Sequence, residues 1–221
     1  MGRTLDNIKI DEKGEIKKYT PIGGGDKEGN YPARIRKSHG ELLEKQFLSA
    51  WELANELIQE RVAVSAPVRD GVYLEIKGKQ GFDLLTKSLE DIRQHVRLLN
   101  IKKENNEVIS ATVYVPNKKR DFFLKKINRY IETDEEKVVS TIESINLAFV
   151  EALWIGDKES IPYKNSIWCE VWLRVESNED YNRIIDEFFD LCKIENISFK
   201  EQKIIFPERI VLGVRADFED L

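Results

Sequence analysis

The stretch IWCEVWLRV, Ile167–Val175, decides the fold. Ile167, Cys169, Val171, Leu173 and Val175 fall on one side of a two-residue period, and Trp168, Glu170, Trp172 and Arg174 fall on the other. That alternation is the pattern of a β-strand with one face buried. Downstream, Ser177 with Asp180 three residues on marks a helix start. Tyr181, Ile184, Ile185, Phe188, Phe189 and Cys192 then form one apolar stripe at helical spacing. Ile197–Phe206 and Arg209–Arg215 read as two strands joined at Pro207-Glu208, and Asp217 caps a last helix. A helix with so few residues left before Leu221 cannot stand alone, so the pattern expects more chain or a fold-back there. The order is β-α-β-β-α, with its last helix cut short.

The same order can be read upstream. Val72–Lys77 alternates as a strand, and Phe82–Leu89 places Phe82, Leu85 and Leu89 on one face of a short helix. Arg93–Lys103 and Glu107–Val115 read as a hairpin around Glu104-Asn105-Asn106. Pro116-Asn117 opens a helix through Ile131 with Phe123, Ile127, Tyr130 and Ile131 inward. A further helix over Val138–Leu153 is expected from Ile142, Ile145, Phe149 and Leu153. Two β-α-β-β-α units, the second truncated, give an α+β fold of antiparallel sheets with helices, the order of the ferredoxin-like split βαβ module.

Outside the two units lie an arm and a long helix. Residues 1–36 are poor in apolar side chains and are broken by Gly23-Gly24-Gly25, Pro21 and Pro32. A phosphate loop is excluded here, because Gly24 and Gly29 have the right separation but Asn30 and Tyr31 stand where Lys and Ser/Thr are required. Residues 38–62 carry Leu43, Phe47, Ala50, Trp51, Ala54, Leu57 and Ile58 on one helical face, behind a capping box of Ser38 and Glu41. The expected division is an arm over 1–36, a helix over 37–66, a first α+β unit over 67–155 and a second over 156–221.

Composition narrows the chemistry. The 221 residues hold 35 basic and 40 acidic side chains, for a net charge of −5. A nucleic-acid binder draws affinity from a basic surplus that this chain lacks. Apolar runs fall well short of the roughly 20 residues of a membrane span, and the charged N-terminus is no signal peptide. Two cysteines make no disulfide framework, and a cytoplasmic protein is expected. The two histidines, His39 and His95, are too few for a common zinc site, and neither has a triad partner visible in sequence. His39 reads as a solvated helix-start residue and His95 as a structural strand residue. No cofactor is expected.

The residues that stand out belong to surfaces. If the face of Trp168, Glu170, Trp172 and Arg174 is open, it is a candidate protein-docking surface, with the turn Phe206, Glu208, Arg209 beside it. Tryptophan's average burial favours helices covering that face instead. Base stacking would need a basic, aromatic strand of a kind found at neither Ile109–Val115 nor Ile210–Val214. Cys169 and Cys192 lie on facing inner sides as a reduced, buried pair. Asp134-Glu135-Glu136 reads as a solvated loop, and Lys118-Lys119-Arg120 as a basic first turn that opposes its helix dipole. Glu143, Glu151 and Glu170 are the carboxylates an enzyme reading would use, and nothing in sequence brings them together.

A family resemblance rests on many short segments in order. They are Tyr19-Thr-Pro-Ile-Gly-Gly-Gly, the helix from Ser38, Val72-Tyr-Leu-Glu-Ile with Gly81-Phe-Asp-Leu-Leu, Ser88-Leu-Glu-Asp-Ile and Val96-Arg-Leu-Leu-Asn. Ala111-Thr-Val-Tyr-Val-Pro, Ser144-Ile-Asn-Leu-Ala, Ala152-Leu-Trp, Trp168-Cys-Glu-Val-Trp-Leu-Arg and Phe206-Pro-Glu-Arg complete the set. Together they resemble the non-catalytic N-terminal region of bacterial subtilisin-like serine peptidases. The family's Asp-Ser/Thr-Gly, His-Gly-Thr and Gly-Thr-Ser motifs do not occur, and His39-Gly40-Glu41 is not a substitute. The resemblance implies a prodomain-like or regulatory region without a nucleophile of its own. Its partner would be a subtilisin-like peptidase domain following in cis, with an AAA-type ATPase as a second partner. The rival reading is a freestanding ferredoxin-like module for a protein or small ligand.

Overall fold

The computed structural model describes residues 31–63, 68, 70–103, 107–133, 135–175 and 179–218. Its α+β architecture has two antiparallel sheets and a long N-terminal helix, as the sequence pattern expects. The expected arm up to residue 30, Pro67, the Glu104-Asn105-Asn106 turn, Ser177 and residues 219–221 lie outside the described residues.

The first sheet contains β1 (Val72–Gly78), β2 (Arg97–Lys103), β3 (Ile109–Val115) and β4 (Ile142–Leu147), in the order β2-β3-β1-β4. Every neighbouring pair is antiparallel, which is the strand order of the split βαβ module. Helices α1 (Arg36–Ala63) and α2 (Asp121–Thr133) cover one face. Leu43, Phe47 and Trp51 of α1 and Phe123, Ile127 and Tyr130 of α2 close over Leu74, Ile76, Val113 and Ile145. Each such fully buried side chain contributes about 1.5–3 kcal/mol by leaving water. Gly40 lets α1 and α2 meet, since a Cβ there would run into the Ile131 side chain.

Several expectations for this unit are corrected. Phe82–Leu89 is not an α-helix: a loop leads into a 3-10 turn at Thr86–Leu89, which buries Leu84 and Leu89. So short a segment gains too few hydrogen bonds to offset helix nucleation. The strand expected from Arg93 begins at Arg97, because Asp91 accepts from the backbone N–H groups of Arg93 and Gln94 and holds a second 3-10 turn there. His95 ends that turn at φ 58°, outside the strand. The apolar stripe of α1 stops at Ala54, and Leu57 is exposed.

The helix expected over Val138–Leu153 is three elements: α3 (Lys137–Thr141), β4, and α4 (Val150–Leu153). A β-bulge explains the misreading. Gly78 pairs with Ile142 but Lys77 pairs with Ser144, so β4 carries one extra residue at Glu143. The extra residue puts both Ile142 and Ile145 on the core side, mimicking helical spacing. Lys118-Lys119-Arg120 lies in and just after a 3-10 turn ahead of α2, whose own first turn carries Asp121 and so suits the dipole. Glu136 of the acidic run is not free in solvent: it lies 3.5 Å from both Lys126 and Arg129 of α2.

His39 is buried rather than solvated. Its Nε2 lies 2.9 Å from the Ile142 carbonyl and its Nδ1 3.2 Å from the Tyr130 hydroxyl. The carbonyl can only accept, so Nε2 donates to it and Nδ1 is left to accept from Tyr130. Gln46 accepts from Ile145 N–H at 3.1 Å, and Arg34 donates to the Ile142 carbonyl at 3.3 Å. Three side chains from α1 and its approach thus occupy the outer backbone groups of the edge strand β4, a blocked edge. Burial, then Arg34, holds the His39 pKa below its ordinary 6.5. The unfolded chain takes up that proton near pH 6.5 and the folded chain only at lower pH. This contribution to stability is complete above about pH 6.5 and is lost as pH falls through the folded value. In thermal melts, His39→Gln should lose part of the wild-type acid sensitivity below that pH; an unchanged pH slope would refute the assignment.

The second unit contains β5 (Ile167–Arg174), α5 (Tyr181–Ile194), β6 (Ser198–Phe206) and β7 (Arg209–Ala216), with sheet order β5-β7-β6. Helix α5 covers one face through Ile184, Ile185 and Cys192, above Leu212, Val214 and Val175. Its N-cap is Asp180, whose carboxylate accepts from Asn182 N–H at 2.9 Å. Asp180→Ala should cost about 1 kcal/mol, read as a lower urea midpoint; an unshifted midpoint would remove the cap.

Candidate functional site

The face of the second sheet away from α5 carries the site. Side chains alternate along each strand, so the register fixes which residues share that face. Trp168 pairs with Arg215, Glu170 with Gly213, Trp172 with Val211 and Arg174 with Arg209. On β6, Ile204 pairs with Val211 and Phe206 with Arg209. No described helix covers this face. Trp168 is 50% exposed, Trp172 46% and Phe206 46%, although tryptophan's burial habit favours a covered face.

The rings are organised by their neighbours. Trp172 and Phe206 stack with centroids 6.5 Å apart and planes 16° from parallel. The Arg209 guanidinium lies over Trp172 at 5.7 Å, and Lys200 Nζ over Trp168 at 4.6 Å. Cations over ring faces are attracted by the ring quadrupole, worth about 0.5–1 kcal/mol each when exposed. The Trp172 indole N–H donates to Glu170 at 3.3 Å, and Tyr181 donates to the Pro207 carbonyl at 2.7 Å, which ties the turn to α5. Gly213 leaves room for the Lys200 stem, which a Cβ would meet at 3.3 Å. These contacts hold broad apolar rings at the surface in set orientations.

The structure therefore brings together Trp168, Glu170, Trp172, Phe206 and Arg209. Arg174 shares the face but lies over the ring of Tyr114 in the first unit, at 5.5 Å. Glu208 sits in the exposed turn. Three members of the face escape the sequence reading. Arg215 and Ile204 were legible from period two along their strands. Lys200 was not, because the β6 register shifts between Phe199 and Lys203 and breaks the count.

The remaining candidates do not converge. Glu143 pairs with Arg34, Glu170 accepts from Trp172, and Glu151 lies in α4, where Lys102 donates to its backbone carbonyl. Cys169 and Cys192 are free, buried thiols in one apolar cluster beneath the face, and burial raises both pKa values. A thiol so raised is a poor nucleophile at neutral pH. Among the described residues, no group of three or more His, Cys, Asp or Glu is placed to hold a metal ion, and no helix is long and apolar enough to cross a membrane. A polar cleft of about 270 Å³ lies against the first sheet between Lys77, Lys102, Lys158, Glu75 and Ser110.

Comparison of the chain with protein-family models and with curated proteins gives no match.

Proposed function

We propose that the chain is a protein-docking region that acts by contact rather than catalysis. One observation carries this reading: two tryptophans and a phenylalanine stand about half exposed on a sheet face that no described helix covers. Exposed apolar patches of this kind mark interaction sites, and Trp and Arg are enriched among residues that dominate binding. The sequence resemblance supplies the partner, a subtilisin-like serine peptidase domain. The docking region would assist that domain's folding, restrain it or recruit a further protein such as an AAA-type ATPase, in the cytoplasm. In this reading the chain carries no catalytic residue itself.

The test is to read the coding frame beyond Leu221 and to assay any peptidase domain found there, with and without added chain. Slowed peptidase turnover or a stable complex is the expected result. A frame without subtilase motifs, or a peptidase that neither binds nor slows, would overturn the peptidase assignment.

A further inference from the structure

The docking face has a charge sign that the chain as a whole does not. Lys200, Arg209 and Arg215 are exposed on it, with Arg174 at its margin, against Glu170 on the face and the exposed Glu201 of β6 and Glu208 of the turn beside it. Among the described residues, no carboxylate pairs with Lys200, Arg209 or Arg215. A local basic surplus around an apolar centre, on a chain of net charge −5, selects a partner of the opposite sign.

Polyanions of two kinds meet that description, and the rings favour one. Sequence-tolerant nucleic-acid binding stacks bases on open aromatic faces. Here Lys200 lies over Trp168, while Trp172 has Phe206 stacked on it and Arg209 over it. Those neighbours compete with bases for the ring faces but leave N–H donors free for carboxylates. Size narrows the occupant further. Three strands at about 4.8 Å spacing make a face roughly 10 Å across. A standard folded interface uses about 20–30 residues a side, so within a docked domain this face meets a single segment of the contact surface.

We infer that the face binds an acidic peptide segment whose carboxylates meet Lys200, Arg209 and Arg215 while its apolar side chains pack on Ile204 and on the parts of Trp168, Trp172 and Phe206 that stay exposed. The inference rests on the docking reading above and names what the partner must present.

Fluorescence anisotropy tests it with three labelled probes: a peptide alternating glutamate and leucine, its lysine–leucine counterpart, and oligouridylate. The glutamate peptide should bind wild-type chain and weaken with added salt. Lys200→Glu with Arg209→Glu should weaken it at least tenfold and should let the lysine peptide bind. Lys118→Glu, an exposed change on the first unit, should alter neither. Failure of the glutamate peptide to bind, or indifference to the charge reversal, overturns the inference. Tighter binding of oligouridylate overturns it in favour of nucleic acid. Self-association lost on Trp172→Ala overturns it in favour of a second copy. If the peptides fail while a peptidase complex still depends on Trp172, the docking reading stands and the acidic segment falls.

Discussion

Phe47→Ala is expected to remove about 3–5 kcal/mol from the stability of the first unit. Phe47 is fully buried, with its ring centroid 5.5 Å from Trp51 and 6.1 Å from Phe123. It is the point where the N-terminal helix joins α2 above the sheet. Truncation leaves a cavity lined by rings that cannot collapse into it without leaving their own contacts. Against a typical total of about 5–15 kcal/mol, that loss brings the unit near its threshold. The apolar clusters beneath α5 contain none of these residues, so their transition should move less. Urea unfolding followed separately in the two units checks this. A loss under about 1 kcal/mol would mean that α1 does not pack here.

How much was legible in the sequence follows from how each element meets its surroundings. β5 is legible because it faces α5 on one side and solvent on the other, so its period of two survives in the residues. α5 was read for the same reason, with Ile184, Ile185 and Cys192 buried on its inner stripe. β4 was lost because a bulge against β1 changes its period, and the partner that imposes the bulge lies more than sixty residues upstream. The burial of His39 is not legible in the sequence because it comes from Tyr130 and Ile142, both distant along the chain. The outer face was visible as a list of residues. Its openness was not, since that depends on α1 and α2 both covering the first sheet, with no described helix on the second sheet's outer side.

Trp172→Ala is expected to weaken binding to the peptidase domain proposed as the partner by roughly 30-fold or more, the scale of a hot-spot residue worth at least about 2 kcal/mol. Its ring stacks with Phe206, lies under the Arg209 guanidinium and is held by an indole hydrogen bond to Glu170, so it is organised before the partner arrives. Preorganised groups lose little entropy on docking and return more of their burial as affinity. The same ring contributes little to folding, because nearly half of it already faces water. Losing the stack with Phe206 should cost the fold less than about 1.5 kcal/mol. The opposite signature belongs to Phe47, whose loss lowers stability and reaches binding only through unfolding. Calorimetric titration beside a thermal melt separates the two. A Trp172→Ala chain that keeps its melting temperature and still binds as tightly as wild type would remove the face from the contact, whatever else the peptidase touches.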